Sequence, residues 1–507
     1  MPTESPARAP AGTSGAEPPA RLSTGIPGLD EVLYGGLLPG KAYLVRGAPG
    51  TGKTTLGFHF LSAGAADGER TLLITLGEPE AQIRANARAV GFNLDGIPVL
   101  DLSPPPEFFA KAQTYDIFSP AEVEREPTTR LLLEKVEAVR PQRVFLDAMT
   151  QFRYLSTDTF QFRKQALSFL HFLTGQGATV LFTSECSEAA PDDDLQFLSD
   201  GVIHLASSPD GRTLSAGKLR GSNFKGGPHS MRITSSGMRV FPRLLPDVHR
   251  YKGKFVVETV PSGVPGLDEL LHGGLERGTV TIISGPAGVG KTTLGLRFMA
   301  EAAGRGERSV VYTFEEALQV MLRRCEGVNI PLRPLLERNS LAVVQVEPLF
   351  YTPDEFAQLV RQEVERQQTR VVMIDSTSGY RLSFRGDDLV ADLHALCKYL
   401  KNMGVTVLLV NEIEALTGEF RVTDNGFSYL GDNILFLRYM ERHTDSEVEL
   451  RKSIAVLKKR VTDFEKTMRE LEITGDGLAV TKPAGKLGSI ISSLPVWAAP
   501  PGRAEKP

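Results

Sequence analysis

The sequence predicts an α/β protein made of two copies of one domain, each with a mostly parallel sheet flanked by helices. Segments of the first half recur about 238 residues later, and within each half short apolar runs alternate with helix-like stretches. Continuous apolar strands separated by helices are typical of parallel strands covered on both faces. A repeat of this length indicates a duplicated domain and not a solenoid of short repeats.

Length and charge limit the functions to consider. The chain has 507 residues, 41% of them hydrophobic, and a formal net charge of −4. This length predicts two or three domains. The charge provides no overall basic field to attract nucleic acid or anionic membrane, so we expect neither as a partner, although a local basic channel stays open. The longest apolar runs, such as 405–410, are far shorter than a membrane span.

Cysteine usage and the N-terminus predict a cytoplasmic protein. The three cysteines are widely separated, and residues 2–20 lack the charged start and apolar core of a signal peptide. The sequence therefore encodes no disulfide framework and no CxxC metal site, as expected in a reducing compartment.

The repeat defines the expected domains. The motif TGIPGLD at 24–30 returns as SGVPGLD at 262–268, and the tail is rich in Gly, Ser and Pro. We expect a disordered extension (1–20), a first domain (21–245), a linker (246–254), a second domain (255–482) and a flexible tail (483–507).

Within each domain, periodicity predicts the elements in order. Strands are expected at 42–45, 71–76, 143–147, 179–183, 371–375 and 406–410, and helices at 54–65, 162–175 and 389–401. Later β-rich stretches such as 212–220 predict antiparallel strands added at the sheet edge.

The strongest motif is a phosphate-binding loop that occurs twice, as GAPGTGKTT and as GPAGVGKTT. Each copy follows a predicted strand and opens a helix, which is the context that the motif requires. Its glycines let backbone N–H groups surround phosphate, the lysine reaches the β- and γ-phosphates, and the first threonine binds Mg²⁺. We therefore predict ATP and Mg²⁺ as ligands. The nucleotide-binding residues are Gly47, Gly50, Thr51, Gly52, Lys53, Thr54 and Thr55, and Gly285, Gly288, Val289, Gly290, Lys291, Thr292 and Thr293.

Carboxylates at strand ends are the candidates for metal binding and catalysis. Asp147 and Asp375 each end an apolar strand and, with Thr54 and Thr292, are predicted to hold Mg²⁺. An Asp in this place can also be a simple helix cap.

Three glutamates are candidates to orient the water that attacks the γ-phosphate. Glu78, Glu315 and Glu316 follow strands between the loop and the metal carboxylate. The first copy has Gly77 where the second has Glu315, so its carboxylate pair is reduced to one. The alternative is that these acids are solvated loop residues.

Late in each copy, cations alternate on a β-rich stretch: Lys218 and Arg220, and Lys458 and Arg460. Cations on an exposed edge suit a phosphate that arrives from another subunit, whereas charges that protect an edge from aggregation are the alternative. Further candidates near the γ-phosphate or a neighbouring subunit are Glu185, Glu412, Arg153 and Arg381.

The paired GxPGLD…GG signatures, the two phosphate loops, the FEE motif at 314–316 and the late K-x-R pairs resemble the KaiC family over nearly the whole chain. The resemblance implies tandem RecA-like ATPase domains in a double-ring homohexamer. It also implies ATP at each subunit interface, with Lys218, Arg220, Lys458 and Arg460 reaching a neighbour's nucleotide. Family members act in circadian timing with partner proteins, through slow ATPase activity in the first ring and autophosphorylation in the second.

The resemblance identifies Ser428 as a candidate autophosphorylation site, with an unmodified loop serine as the alternative. Tyr429 occupies the position of the family's adjacent threonine, and Gln196 corresponds to Ser428 in the first copy. Phosphorylation is therefore expected only in the second domain, without the family's ordered two-site cycle.

Three functions compete on these observations. The first is a KaiC-like ATPase with serine/threonine autokinase activity in circadian timing or signalling. The second is a scaffold that assembles on ATP with little turnover, which Gly77 favours. The third is a RecA-like recombinase or helicase, which the net charge and the mixed charges after Arg381 disfavour.

Overall fold

The computed structural model describes residues 20–104, 120–155, 158–185, 192–244, 258–386, 388–413, 429–443 and 448–482. Residues 1–19, the predicted linker 246–254, Ser428 and the predicted tail 483–507 lie outside these segments. The chain divides between Pro242 and Arg243 into two compact units, called unit 1 and unit 2.

Unit 1 alternates strands and helices in its first part and ends in a run of strands. Its strands are β1 (Ala42–Gly47), β2 (Thr71–Thr75), β3 (Val99–Asp101), β4 (Arg143–Asp147), β5 (Thr179–Glu185), β6 (Gly201–Ser208), β7 (Gly211–Leu219), β8 (His229–Thr234) and β9 (Gly237–Phe241). Its helices are α1 (Leu29–Val32), α2 (Lys53–Ala66), α3 (Glu80–Ala89), α4 (Pro120–Val139), a 3₁₀ helix (Met149–Leu155), α5 (Thr159–Gly175) and α6 (Asp193–Leu198).

Unit 2 follows a similar order, with two additional two-residue strands near its start. Its strands are β10 (Thr259–Val260), β11 (Leu275–Glu276), β12 (Val280–Gly285), β13 (Ser309–Thr313), β14 (Leu341–Gln345), β15 (Val371–Asp375), β16 (Thr406–Glu412), β17 (Asn433–His443), β18 (Val448–Lys459), β19 (Met468–Thr474) and β20 (Gly477–Thr481). Its helices are α7 (Pro265–Leu270), α8 (Lys291–Gly304), α9 (Leu318–Glu326), α10 (Leu332–Glu337), α11 (Pro353–Gln367), α12 (Thr377–Ser383) and α13 (Leu389–Asn402).

Each unit has a nine-stranded sheet. The order is β3-β2-β4-β5-β1-β6-β7-β8-β9 in unit 1 and β14-β13-β15-β16-β12-β17-β18-β19-β20 in unit 2. The first six strands of each sheet are parallel, and the last three join antiparallel at one edge. The predicted fold class, a mostly parallel sheet flanked by helices in each of two tandem domains, is confirmed.

The core lies on both faces of each sheet because neighbouring residues of a strand point to opposite sides. In unit 1, Leu73 and Phe145 belong to one apolar cluster, whereas Leu72 and Val144 belong to the other. Unit 2 divides its strands in the same way. Covering both faces explains why the central strands are continuously apolar.

Side chains in the loops start several of the helices. The Asp158 carboxylate accepts from the Gln161 N–H at the start of α5, and Thr352 and Glu355 form a capping box at the start of α11. No helix of the described segments combines the length and the hydropathy that crossing a bilayer needs.

Candidate nucleotide-binding sites

Each phosphate loop joins the carboxyl end of a central strand to the start of a helix. The loop of unit 1 runs from the end of β1 to α2, and that of unit 2 from β12 to α8. Gly52 and Gly290 have φ of 103° and 110°, and a Cβ there would lie 2.4 Å from Ile233 Cδ1 or 2.5 Å from Ile473 Cδ1. Glycine is required at both positions for two reasons: other residues rarely adopt a positive φ, and the neighbouring isoleucine leaves no room for a Cβ. The exposed helix N-termini face the loops and favour anions.

The loop lysines are buried and folded over their own loops. Lys53 Nζ donates to the carbonyl of Gly47 at 2.8 Å, and Lys291 Nζ donates to the carbonyl of Pro286 at 2.8 Å. Burial lowers the pKa of Lys291, and the nearby Glu412 and Asp375 carboxylates oppose that shift. Phosphate oxygens fit this position because they would supply the ammonium with stronger, charged acceptors.

The predicted metal residues come together in both units. Thr54 Oγ1 donates to Asp147 Oδ2 at 2.6 Å, and Thr292 Oγ1 donates to Asp375 Oδ1 at 3.1 Å. A hydroxyl beside a carboxylate at the mouth of a phosphate loop fits Mg²⁺, which prefers a few oxygen ligands completed by water and phosphate. The donor set in each unit therefore suits the ion that the motif implies.

The two metal carboxylates have different neighbours. Asp147 also accepts from Thr183 Oγ1, at 2.5 Å. The position corresponding to Thr183 on β16 is Val410, which has no hydroxyl to donate. Burial raises the pKa of Asp375 to about 6, and the hydrogen bond from Thr292 opposes the rise.

In unit 2, both candidate bases line a cavity of about 340 Å³ together with the loop residues. Glu315 accepts from Ser376 Oγ at 3.1 Å, beside Asp375. Glu316 is instead held by Arg324, whose Nε and Nη2 lie 3.0 and 2.6 Å from its two oxygens. The remaining lining residues are Gly288, Gly290, Lys291, Thr292, Thr293, Thr313, Val410 and Glu412.

Unit 1 has one carboxylate at this place. Glu78 Oε2 accepts from Asn86 Nδ2 at 3.0 Å, so it is held by an amide where Glu316 is held by a guanidinium. Gly77 has no atom within 4 Å of its missing Cβ, so the space that Glu315 uses in unit 2 is open here.

The other four candidate residues differ in their contacts and in their exposure to solvent. Glu412 lies 3.7 Å from Lys291 Nζ, and Glu185 pairs in register with Gly47 at the end of β5. Arg153 lies over the Phe162 ring at 5.1 Å, so it packs against its own unit, whereas Arg381 is exposed on α12.

The late cations lie at the other end of the sheet from their own phosphate loop. Lys218 pairs with Val202, which pairs with Leu44 near the start of β1. In unit 2, Lys458 pairs with Ile434, which pairs with Ile282 near the start of β12. Both phosphate loops follow the opposite, carboxyl ends of these central strands. The late cations therefore do not take part in the site of their own unit.

Within each pair of late cations, the lysine and the arginine have different surroundings. Burial is the main cause that lowers the pKa of both lysines. Lys218 Nζ donates to the carbonyls of Gln196 and Ser199 at 3.0 and 2.6 Å, and Lys458 Nζ donates to that of Gly431 at 2.6 Å. Arg220 and Arg460 are more exposed, at 57% and 54% of their side chains.

The sequence analysis did not identify Arg324 and Thr183 as functional candidates. Aligning the two copies at their offset of 238 residues would have drawn attention to Arg324, since Asn86 replaces it in unit 1. Thr183 is separated from Asp147 by 36 residues, and only the pairing of β4 with β5 shows that they meet.

The fold and the paired sites define a tandem P-loop ATPase. The KaiC ATPase family model matches residues 22–244 and again residues 260–485. The chain therefore belongs to the KaiC family and carries its ATPase domain twice.

Curated relatives cover almost the whole chain. It is 27% identical over 494 residues to the circadian clock oscillator protein KaiC of Parasynechococcus marenigrum, covering 94% of this chain and 93% of the relative. For the protein of the same name from Synechococcus elongatus the identity is 28%, covering 94% and 92%. The circadian clock protein KaiC3 of a Synechocystis species is 27% identical, covering 94% and 95%.

Proposed function

We propose that both units bind Mg²⁺ and ATP and that unit 2 carries most of the hydrolysis. The observation behind this division is Glu315, which faces the nucleotide cavity of unit 2, whereas Gly77 stands in its place in unit 1. A carboxylate in this position can orient water and accept its proton as the water attacks the γ-phosphorus. Without it, unit 1 retains the residues of the phosphate loop and has Glu78 as its one candidate base.

In unit 2, each residue has a defined task. The loop N–H groups and Lys291 bind the β- and γ-phosphates, and Thr292 and Asp375 hold Mg²⁺, which neutralises phosphate charge. Glu315 takes a proton from water while the bond between the γ-phosphorus and the β–γ bridging oxygen breaks. The products are ADP and phosphate.

We further propose that the chain assembles as a homohexameric double ring with ATP between subunits. The positions of Lys218, Arg220, Lys458 and Arg460 support this, because they lie near the opposite ends of β1 and β12 from their own phosphate loops. Cations so placed lie away from the triphosphate of their own unit, as is expected of residues that serve another subunit's site in the way of an arginine finger. The resemblance of the sequence to ring-forming family members supports the same arrangement.

Ser428 is the proposed acceptor for autophosphorylation, in circadian timing or related signalling with protein partners. The proposal relies on the match to the family motif, since Ser428 lies outside the described residues. The next residue, Tyr429, is 51% exposed, and its ring lies 5.4 Å from that of His394.

The alternative function is a scaffold that assembles on ATP and turns it over little. Gly77 favours it, because unit 1 has no carboxylate at the position that corresponds to Glu315. A recombinase or helicase role ranks last, because the net charge of −4 provides no general basic surface for single strands.

The test is to incubate the full chain with Mg²⁺ and γ-labelled ATP and to measure released and protein-bound phosphate. We expect Lys291→Ala to abolish most phosphate release and Lys53→Ala to leave most of it. Label at Ser428 that disappears in Lys291→Ala and in Ser428→Ala supports the autokinase. Equal loss in both lysine variants contradicts the division of labour, and assembly on ATP without release of phosphate favours the scaffold.

A further inference from the structure

Arg324 lies in the wall of the nucleotide cavity of unit 2, but the proposed reaction does not use it. Its guanidinium contacts both oxygens of Glu316, and its Nη1 donates to Thr293 Oγ1 at 2.7 Å. Thr293 belongs to α8, the helix that follows the phosphate loop. Arg324 therefore ties the loop that carries Glu315 and Glu316 to the helix that faces the triphosphate.

In unit 1, a neutral side chain makes the corresponding contact. Asn86 stands where unit 2 has Arg324, and its amide donates to Glu78, which corresponds to Glu316. Unit 1 also has Gly77 in place of Glu315. The two differences occur together: the unit with two adjacent carboxylates has an arginine, and the unit with one carboxylate has a neutral amide.

The charges of the residues at the two sites explain why the two differences occur together. The cavity of unit 2 is lined by four carboxylates and two cations. At the corresponding positions of unit 1 there are three carboxylates and one cation. Both sites thus have the same excess of negative charge, although only unit 2 has the additional carboxylate. Since ATP is itself an anion, an uncompensated carboxylate beside its phosphates would weaken binding.

We propose that Arg324 is a positioning residue that preserves ATP affinity in unit 2. It neutralises Glu316, so that Glu315 can stand beside the triphosphate without added repulsion, and it attaches Glu316 to Thr293 of α8. The inference rests on the proposed function in one respect only, namely that unit 2 binds ATP. The experiment that tests it measures the affinity for ATP and not the rate of hydrolysis.

The experiment measures Kd for a non-hydrolysable ATP analogue with Mg²⁺, using the full chain with Lys53→Ala so that unit 2 is observed alone. Arg324→Asn, which copies unit 1, is expected to raise Kd about tenfold, because one carboxylate loses its charged partner. Adding Glu315→Gly should return Kd to within about threefold of the parent, since the charge excess is restored. Arg324→Lys should keep most of the affinity, because it retains the charge.

The reciprocal variants test the same point in unit 1, with Lys291→Ala in the background. Gly77→Glu should raise Kd about tenfold, and Gly77→Glu with Asn86→Arg should restore it. These variants keep the test decisive if Arg324→Asn does not fold.

A structural role for Arg324 predicts a different pattern. Equal weakening in Arg324→Asn and in Arg324→Asn with Glu315→Gly, or an unchanged Kd in Arg324→Asn, would overturn the inference. Absence of binding in the Lys53→Ala parent would overturn it together with the proposed function. Binding without turnover in that parent would contradict only the hydrolytic role of unit 2, and the comparison of Kd values would still decide the role of Arg324.

Discussion

Units 1 and 2 have the same strand order and the same phosphate loop, yet the groups around the loop differ. Unit 2 has Glu315, Arg324 and Val410 where unit 1 has Gly77, Asn86 and Thr183. The shared parts bind phosphate and metal, which any ATP site needs. In the proposed function, the parts that differ act on the attacking water and on the charge of the metal carboxylate. One copy of the domain can therefore lack a carboxylate of the other and still keep the residues of an ATP site.

The largest effect on the rate of ATP hydrolysis is expected for a substitution of Glu315. In a Lys53→Ala background, Glu315→Gln should lower kcat for phosphate release about 10²–10³-fold, because the amide cannot accept the proton of water. Glu316→Gln should have a much smaller effect, since its partner is Arg324 and not water. Steady-state phosphate release at saturating ATP measures both, and similar losses in the two variants would contradict the assignment of Glu315 as the base.

A second contrast concerns a buried ion pair that only unit 2 has. Lys459 Nζ lies 3.0 Å from Glu276 Oε1, with both side chains at most 1% exposed, and the corresponding residues in unit 1 are Leu219 and Leu38. Lys459→Leu should lower the unfolding free energy of unit 2 by about 3–5 kcal/mol, because the buried Glu276 carboxyl group loses its cationic partner. Lys459→Leu with Glu276→Leu, which copies unit 1, should recover most of that loss. Urea unfolding measures both, and a double variant as unstable as the single one would refute the explanation.

The carboxylate that unit 2 has at Glu315 can be introduced at the corresponding position of unit 1. With Lys291→Ala in the background, Gly77→Glu should raise kcat for phosphate release at saturating ATP at least about tenfold, since the position has open space and the other groups are present. Gly77→Gln is the matched control, because it has the same size without the charge. Equal rates for the two variants would show that unit 1 lacks more than a carboxylate.

The smallest effect is a change in the stability of unit 2, expected for a substitution of Val410. Thr at this position, as in unit 1, can donate a second hydrogen bond to Asp375, whose pKa burial raises to about 6. The buried carboxylate destabilises the ligand-free fold when it is charged, that is, above pH 6, and this cost disappears as pH falls and Asp375 takes up a proton. Val410→Thr should therefore stabilise unit 2 by about 1 kcal/mol at pH 8 and by much less at pH 5. Urea unfolding at the two pH values measures this, and an equal gain at both would exclude the charge of Asp375 as the cause.

Most of the sequence predictions concern local patterns, and the structure agrees with the fold that they indicate. The strand 143–147 and the helix beginning at 389 lie where periodicity places them, because buried apolar runs and an N-cap such as Asp388 act over a few residues. The boundaries of α2 and β5 differ by one or two residues, since helix and strand ends depend on neighbouring strands and loops.

Contacts between residues that are far apart in the sequence were harder to predict. Glu315 and Glu316 look alike in sequence, and only the fold shows that Arg324 holds one of them while Ser376 orients the other. The late cations were expected on an exposed edge, and only the structure shows that neighbouring backbone carbonyls hold the two lysines.

By itself, the sequence determined the duplication, the two phosphate loops and the loss of a carboxylate at Gly77, because these are properties of residue identity and spacing. The tertiary structure alone decided which glutamate Arg324 holds, how Asp147 and Asp375 differ, and where the late cations lie relative to their own loops. The physical reason is that charge, hydrogen bonding and burial depend on contacts between residues far apart in the chain, and strand pairing brings those residues together.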